Sequence, residues 1–299
     1  MIFIAYHPCY ELELPRGHRF PMDKYPMLRK QLIYEGTFSK ENFFVPKKID
    51  RNIVEKVHNK NYVQKLLTLS LNKSEIRRIG FPFNKKLIDR EMTIAGGTLE
   101  CCIRAFENGI SLNVAGGTHH AFSNKGEAFC LLNDQAIAAQ YLINEHKLKK
   151  ILIIDLDVHQ GNGTAEIFRK NKKVFTFSMH GEKNYPFQKI KSDLDVELLD
   201  GTEDQQYLDI LNEKLNMIFD KIKPEFIFYL AGVDILKTDK LGRLSMTLEG
   251  CRLRDEIILN KCFERKIPVQ CSMGGGYSEE LKIILEAHSN TFRIASKIF

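Results

Sequence analysis

The sequence predicts an α/β fold, in which a mostly parallel central sheet is covered by helices on both faces. The first observation behind this prediction is the segment that starts at Ile151, an apolar run that ends in Asp155, Asp157 and His159 and breaks at Gly161 and Gly163. Apolar, β-branched runs that are bounded by glycine are typical of buried parallel strands. The second observation is that such runs alternate with stretches of helical periodicity from residue 111 onward. This alternation is the chain order of a parallel sheet with helical crossovers.

The individual elements follow from the same patterns, taken in order along the chain. Predicted strands cover residues 1–6, 111–115, 151–156, 174–179, 226–231 and 269–273. Predicted helices cover residues 50–67, 87–107, 134–146, 164–170, 204–221, 247–264 and 278–297. Gly96 and Gly97 each cost about 1 kcal/mol relative to alanine inside a helix, so the pair predicts close backbone packing. No repeat, low-complexity tract or linker interrupts the series, so residues 1–299 are predicted to form one domain.

Composition and charge argue against several classes of protein. Of the 299 residues, 43% are hydrophobic, which is ample for a buried core and argues against disorder. The 44 basic and 38 acidic residues are spread along the chain, without the clustered basic stripe expected of a nucleic-acid binder. Seven cysteines without a CxxC pair fit a reducing, cytoplasmic compartment. No apolar segment approaches the ~20 residues of a membrane span, and residues 1–6 are too short for a secretion signal.

Polar side chains follow five consecutive predicted strands, each at the point where the strand ends. They lie in the segments Gly116–His120, Asp157–His159, Ser178–His180, Gly232–Asp234 and Gly274–Tyr277. Ligands of open α/β sheets bind beyond the carboxyl ends of the strands. Five such ends that carry polar groups therefore predict a catalytic crevice at one edge of the sheet.

A metal centre is predicted where the central strand ends. Asp157 and His159 are two residues apart, so both can face the same side of the chain as it leaves the sheet. With Asp234 they offer two carboxylates, one imidazole and an open position for water, which is a catalytic zinc arrangement. Mixed nitrogen and oxygen ligands also admit Fe(II), Mn(II) or Co(II). Asp155 is predicted either to orient an active-site histidine or to join a structural cation site near Ser178.

A proton acceptor and an oxyanion donor complete the predicted crevice. A metal held by two carboxylates has its charge formally cancelled, so its bound water needs a general base, which contributes about 10²–10⁴-fold. His119 and His120 supply two imidazoles, and because neighbours on extended backbone diverge, only one is expected to reach the water. Tyr277, after three glycines, is suited to donate a hydrogen bond to an oxyanion, and losing one such donor costs about 3–4 kcal/mol.

Several multi-residue motifs resemble those of the zinc-dependent histone deacetylase family, which has an arginase-like α/β fold. The motifs, in chain order, are Gly116-Gly-Thr-His119-His120, Ala128-Phe129-Cys130-Leu-Leu-Asn133-Asp134, Asp155-Leu-Asp157-Val-His159-Gln-Gly-Asn-Gly-Thr164, Ala231-Gly-Val-Asp234 and Gly274-Gly-Gly-Tyr277. Segments 14–22, 201–204 and 234–245 are most similar to the class IV branch and to bacterial deacetylase-like members.

The resemblance implies a role for each group in the crevice. The Asp-His-Asp set would bind one catalytic Zn²⁺. His119 and His120 would be the family's paired histidines, with His120 as the general base and acid. Tyr277 would polarise the amide carbonyl and stabilise the tetrahedral intermediate. Asp155 and Ser178, with nearby backbone carbonyls, would hold a structural monovalent cation, usually K⁺.

The resemblance also implies a tunnel for the acyl-lysine side chain. Phe129 would form one wall, and Tyr185 or Phe187 the other. The residues expected to line the tunnel are Phe129, Tyr185, Gly275 and His18.

Two departures from the class I pattern carry consequences. Asn162 replaces an aspartate that pairs with a histidine in class I, so His120 is expected to be less basic in the resting site. Segment 80–83, Gly-Phe-Pro-Phe, stands where class I has a rim aspartate that grips the substrate backbone, so recognition of a peptide backbone is in question.

The function predicted from these features is metal-dependent hydrolysis of an acyl-lysine amide, on acetyl or longer acyl groups. An alternative with the same catalytic residues is deacetylation of a small acylated amine, such as an acetylpolyamine. An arginase-like enzyme with two manganese ions would need further carboxylates, where the chain has Gly161 and Ile235. A non-enzymatic acyl-lysine binder would not need the histidines and Tyr277. No obligate partner is indicated, and a basic enzyme gains no electrostatic steering toward a basic histone tail.

Overall fold

A computed structural model, which describes residues 1–299, contains one eight-stranded sheet in which all paired strands run parallel. The strands are β1 (Phe3–Ala5), β2 (Phe43–Phe44), β3 (Ile110–Asn113), β4 (Ile151–Asp155), β5 (Val174–Gly181), β6 (Leu194–Leu198), β7 (Phe226–Leu230) and β8 (Val269–Ser272). Their order across the sheet is β2-β1-β3-β8-β7-β4-β5-β6. The predicted α/β fold is confirmed.

Ten α-helices flank the sheet, and two short 3-10 helices lie near the amino terminus. The helices are α1 (Lys24–Tyr34), α2 (Arg51–Val54), α3 (Lys60–Leu67), α4 (Lys73–Ile79), α5 (Lys85–Asn108), α6 (Asp134–Glu145), α7 (Asn162–Phe168), α8 (Asp204–Ile222), α9 (Leu248–Glu264) and α10 (Leu281–Ile298). They pack mainly in two groups. In one, α5 packs against α6. In the other, α10 packs against α1 and α9, and α9 also packs against α8. None of the ten combines the length and apolar character that a bilayer crossing requires.

The four central strands form the middle of the core. Every residue of β3, β8, β7 and β4 is buried, as expected for a parallel sheet with helices on both faces. These strands are rich in isoleucine, leucine, valine and phenylalanine, and they belong to a single cluster of 78 buried apolar residues. The polar loops that follow them are therefore anchored on the fully buried strands of the sheet.

The structure differs from the predicted elements at the edges of the sheet and in the amino-terminal third. Strands β2 and β6 and helices α1 and α4 had no counterpart in the prediction. The helix predicted over residues 50–67 is two helices, because Asn59 leaves the helical conformation and its side chain accepts the Asn61 N–H as the cap of α3. Strand β6 was missed because its alternating residues are only partly buried at an edge.

The glycine pair inside α5 allows close packing, as predicted. A Cβ atom at Gly96 would overlap the carbonyl oxygen of Lys47, and one at Gly97 would lie 2.5 Å from the Tyr10 hydroxyl. Helix α5 can therefore approach the preceding loop and the 3-10 helix at Pro8–Tyr10 only with glycine at these positions.

Candidate metal centre and active site

The carboxyl ends of β3, β8, β7, β4 and β5 lie side by side at one edge of the sheet. All five strands are parallel neighbours, so the loops that leave them meet above this edge. One ligand atom from each of Asp157, His159 and Asp234 lies within 4.8 Å of the other two, and all three residues are buried. The structure thus brings the predicted ligands together.

The geometry of these three side chains fits a divalent metal. His159 Nδ1 lies 3.0 Å from Asp157 Oδ1 and 3.1 Å from Asp234 Oδ2. Backbone N–H groups hold the other oxygen of each carboxylate. The Gly275 N–H donates to Asp157 Oδ2 at 2.8 Å, and the Val158 N–H donates to Asp234 Oδ1 at 2.9 Å. Each side chain therefore points one atom at a common centre.

The electrostatics of the centre call for a cation. Burial of two neighbouring carboxylates is costly without a compensating charge. Burial and the Asp157 carboxylate together raise the pKa of Asp234 to about 7. Burial opposes a charge on His159, yet hydrogen bonds to both carboxylates raise its pKa to about 10. A metal ion would replace that proton, since metal ligands must be deprotonated.

Two glycines make room for the carboxylates. A Cβ atom at Gly232 would overlap Asp157 Oδ2, and one at Gly275 would overlap Asp234 Oδ2 and lie 2.8 Å from Asp157 Oδ2. Gly275 was predicted to line the tunnel, and it does border the cavity. Its position also places its backbone N–H against a ligand carboxylate, a role that the sequence did not indicate.

The paired histidines lie together instead of diverging. Their ring centroids are 4.1 Å apart, contrary to the prediction from extended backbone. The reason is that both histidines lie in a turn, which the Ala121 N–H closes on the Thr118 carbonyl oxygen at 3.3 Å, and not on extended backbone. Gly116 and Gly117, with φ angles of 84° and 77°, lead the chain into this turn. His119 Nδ1 donates to Asp155 Oδ2 at 2.7 Å, and His120 Nδ1 donates to Asn162 Oδ1 at 2.7 Å.

Different partners give the two histidines different charges. Burial opposes a charge on His119, but the Asp155 and Asp157 carboxylates raise its pKa to about 9. Burial and the adjacent His119 hold the pKa of His120 well below its usual value. With Nδ1 donating to an amide oxygen, neutral His120 keeps a lone pair on Nε2. His120 can therefore accept a proton. Its low pKa comes from burial and from the neighbouring histidines, since the Asn162 hydrogen bond acts in the opposite direction. That Asn162 leaves His120 less basic than an aspartate would stays a prediction.

Glu127 is part of this network and was not recognised in the sequence. Asn162 Nδ2 donates to Glu127 Oε1 at 3.2 Å, and the Tyr185 hydroxyl donates to the same oxygen at 2.6 Å. The carboxylate is buried beneath the cavity wall. Its only sequence signal is its place next to the Ala128-Phe129-Cys130 motif, and the preceding polar residues 123–126 are typical of a solvated turn.

Tyr277 borders the cavity next to the metal centre. Its N–H donates to Asp239 Oδ2 at 2.6 Å, and its ring is 6.4 Å from that of His159. Burial and the nearby Asp234 carboxylate raise the pKa of the phenol well above its usual value. Tyr277 therefore stays protonated and able to donate.

A buried lysine supports this side of the site. Lys24 is fully buried, and its Nζ donates to the carbonyl oxygen of Gly274 at 3.1 Å. The ammonium lies 5.5 Å from the centroid of the Tyr277 ring, within the range of a cation–π contact. Lys24 ties helix α1 to the glycine segment that precedes Tyr277. Sequence reasoning missed it because Lys24 and Gly274 are 250 residues apart.

An aromatic-walled cavity of about 710 Å³ leads to the metal centre. Phe20, Phe129, Tyr185 and Tyr277 form its walls. Ala128 and Phe129 have φ angles of 47° and 67°, a rare conformation for non-glycine residues that is concentrated at functional sites. The Phe129 N–H donates to the carbonyl oxygen of Ile79 at 2.8 Å, which helps to hold the ring against the cavity.

His18 does not line the cavity, contrary to the prediction. Its Nε2 is 2.9 Å from the carbonyl oxygen of Gly80, and its ring stacks on Phe81 with centroids 5.7 Å apart. The turn at residues 15–18 directs His18 behind Phe129, and Phe20 occupies the wall instead. Phe187 borders the mouth and is 86% exposed, whereas Tyr185 is the inner wall.

Asp155 and Ser178 lie next to each other in the register of β4 and β5. Asp155 Oδ1 accepts the Asp157 N–H at 3.2 Å, while its other oxygen accepts from His119. The Ser178 hydroxyl is 2.9 Å from His180 Nδ1. Both residues are buried directly beside the metal centre.

Comparisons with known proteins agree with this architecture. The pattern of the histone deacetylase domain matches residues 18–292. An uncharacterised protein of Picosynechococcus sp. is 42% identical over 296 residues, which span 99% of both chains. Histone deacetylase 2 of Arabidopsis thaliana is 28% identical over 306 residues, covering 98% of this chain and 79% of its own.

Solved structures share the fold over the full length. The HD domain of HDA15 has a TM-score of 0.85 and 22% identity, covering 99% of this chain and 88% of its own. An HDAC homologue complexed with SAHA has a TM-score of 0.83 and 21% identity, covering 99% and 84%. The chain therefore belongs to the histone deacetylase family and is a hydrolase of the deacetylase type.

Proposed function

We propose that the protein is a zinc-dependent lysine deacylase, which hydrolyses the amide of acetyl-lysine or a longer acyl-lysine in proteins or peptides. The observation that carries this proposal is the Asp-His-Asp set at the base of an aromatic-walled cavity, beside a neutral histidine and a protonated tyrosine. The motifs favour a class IV member. The free cysteines, six of them buried, favour a cytoplasmic location.

Asp157, His159 and Asp234 would hold the zinc ion, which supplies Lewis-acid polarisation of the amide carbonyl and of a water molecule. The Nε2 atom of His120 accepts a proton from the attacking water. His120 later donates that proton to the leaving lysine nitrogen. His119 stays paired with Asp155 and supplies positive charge beside His120.

The Tyr277 hydroxyl donates a hydrogen bond to the carbonyl oxygen as negative charge develops there. Stabilisation of that charge is the largest single contribution to catalysis in many acyl-transfer enzymes. Phe129 and Tyr185 enclose the alkyl chain of the substrate lysine and exclude water from the reacting amide. A neutral amide with a long apolar stem is the substrate end that such walls accommodate.

We also propose that Asp155 and Ser178, with surrounding backbone carbonyls, hold a monovalent cation, K⁺. The buried carboxylate adjacent to a hydroxyl at the strand ends supports this proposal. Turnover that is higher in K⁺ than in Li⁺ at equal ionic strength would support it, and equal turnover in both would contradict it.

The test of the main proposal combines metal analysis with an acyl-amine panel. Dialysed protein should contain about one catalytic zinc per chain, and it should release carboxylate from acyl-lysine peptides in a reaction that a zinc-chelating hydroxamate inhibits. Two required metals per chain would favour the arginase-like alternative. Hydrolysis of acetylpolyamines without hydrolysis of any acyl-lysine peptide would favour the small-amine alternative.

Tyr277→Phe provides the mechanistic arm of this test. The variant should keep its metal, because the phenol is not a ligand, while kcat falls by about 10²–10³-fold. Wild-type turnover in Tyr277→Phe would remove the tyrosine from the mechanism.

A further inference from the structure

Basic side chains surround the entrance of the catalytic cavity. The exposed cations that border it are Arg19, Arg78, Lys183, Lys240 and Arg243, which we call the basic mouth. They come from four separate parts of the fold: the loop before α1, the end of α4, the loop after β5 and the loop after β7. The fold gathers them at one place, although the charges are spread along the sequence.

Little negative charge compensates the basic mouth. Arg243 pairs with Asp200 at 3.2 Å, whereas the other four cations have no carboxylate within ion-pair distance. Asp157, at the base, is the only carboxylate among the residues that border the cavity. Glu127 lies beneath the wall and is already engaged by Lys125, Asn162 and Tyr185. The entrance therefore presents net positive charge to an incoming molecule.

Part of the basic mouth is fixed relative to the catalytic groups. Asp239 accepts the Leu241 and Gly242 N–H groups at 2.8 and 3.0 Å, and its other oxygen accepts the Tyr277 N–H. A Cβ atom at Gly242 would overlap the carbonyl oxygen of Asp234. The turn that carries Lys240 and Arg243 is thus packed directly on a strand end of the metal centre.

We propose that the basic mouth selects acyl-lysines that lie in an acidic stretch of peptide. This inference rests on the proposed deacylase function. The acylated lysine side chain is itself uncharged, so charge discrimination falls on the neighbouring residues, which remain at the entrance. A rim whose charges all have one sign raises the local concentration of oppositely charged substrates, and it raises the association rate by about 10–10³-fold. Acetylpolyamines, whose free amines are cationic, should be poor substrates for the same reason.

The experiment compares three peptides of equal length, each with one central acetyl-lysine flanked by aspartates, serines or lysines. With zinc-loaded enzyme at low salt, kcat/KM should be at least about tenfold higher for the acidic than for the basic peptide, mainly through KM. The preference should shrink near 1 M salt, where the screening length is about 3 Å.

A charge-reversed double variant tests the assignment to the mouth. Lys183→Glu with Lys240→Glu should abolish or reverse the order of the peptides, while the serine peptide is still hydrolysed. The matched control is Lys172→Glu with Lys173→Glu, because these exposed lysines precede β5 at the opposite edge of the sheet. The control makes the same change in net charge and should keep the wild-type preference.

Binding of the same peptides, measured by fluorescence anisotropy, separates the two proposals. If no peptide is hydrolysed but the acidic one binds most tightly, the deacylase proposal fails, whereas the preference of the mouth for acidic peptides stands. If peptides are hydrolysed with equal kcat/KM, or the basic one is preferred, the inference about the mouth is overturned. A preference that the control pair removes equally would also overturn it, since overall charge would then be the cause.

Discussion

A neutral amide separates the His120 imidazole from the nearest side-chain acid in its network. Asn162 accepts the Nδ1 hydrogen with its oxygen and donates its nitrogen hydrogens toward Glu127. Glu127 can only accept, so it determines which way the Asn162 amide faces. The amide oxygen is thereby held against His120, which fixes the tautomer with a free lone pair on Nε2. The hydrogen bond from His120 to the oriented amide thus sets the tautomer, while burial and His119 lower the pKa of the proposed base.

Asn162→Asp should change the pH dependence of the reaction. In the wild type the pKa of His120 is held well below its usual value by burial and by His119, so the base form persists into acid. An aspartate would favour the charged imidazole and raise that pKa, so protonation would remove the base at a higher pH. The acidic limb of the kcat/KM profile should therefore move to higher pH. An unchanged limb would show that His120 does not titrate in that limb.

At the scale of elements, the loop after β8 is packed against the loops after β4 and β7 through glycines. The Gly275 N–H holds one ligand carboxylate, and the absence of a side chain there leaves room for both. Lys24 of α1 binds the preceding carbonyl from the other side. The metal centre is thus shaped by backbone as much as by its ligands.

Gly275→Ala should weaken metal binding while leaving the fold intact. The added methyl group would overlap Asp234 Oδ2, and displacing groups that orient ligands typically costs 10–100-fold in metal affinity. The measurement is zinc affinity by competition with a chelating dye.

Gly201→Ala is the matched control for that variant. Gly201 has a positive φ, of 80°, which Gly275 does not have, and a Cβ atom at Gly201 would meet nothing within 4 Å. The control should lose some stability from backbone strain and keep its zinc affinity. Equal zinc affinity in Gly275→Ala and wild type would contradict the proposed packing.

The strands and their terminal polar groups could be predicted because local patterns determine them. The run 151–156 is apolar enough to indicate a buried strand, and the polar residues that follow it are adjacent in sequence. Glu127 and Lys24 could not be found in this way, since each acts through partners far along the chain. The basic mouth could not be predicted for the same reason, because its residues are far apart in the sequence and the overall charge of +6 does not show where the charges gather.

At the scale of the whole molecule, buried histidines link stability to pH. His58 is 1% exposed, and it joins two loops beside the site by donating to the Phe122 carbonyl oxygen and accepting the Asn133 N–H, at 2.9 and 3.0 Å. Burial lowers its pKa to about 4. The folded protein therefore holds this imidazole neutral in a range where the unfolded chain protonates it.

The free energy of unfolding should fall as the pH drops from about 6.5 toward 4, because only the unfolded chain gains a proton at His58 in this window. Above about 6.5 the group is neutral in both states and has no effect. The full contribution is on the order of 3 kcal/mol. Urea unfolding of wild type and His58→Gln at several pH values measures it. The variant should lose stability less steeply in acid, and parallel curves would contradict the assignment.

The position of β8 between β3 and β7 has a consequence for synthesis on the ribosome. Strand β3 (residues 110–113) cannot pair with its neighbour toward the centre of the sheet until β8 (residues 269–272) has been synthesised. Such distant pairing is slow to form, because a long loop must close first. Tyr277 and the Gly275 donor follow the same late strand, so under the proposed mechanism a nascent chain would be inactive until nearly all of the domain has emerged. Activity and completion of the sheet therefore arrive together.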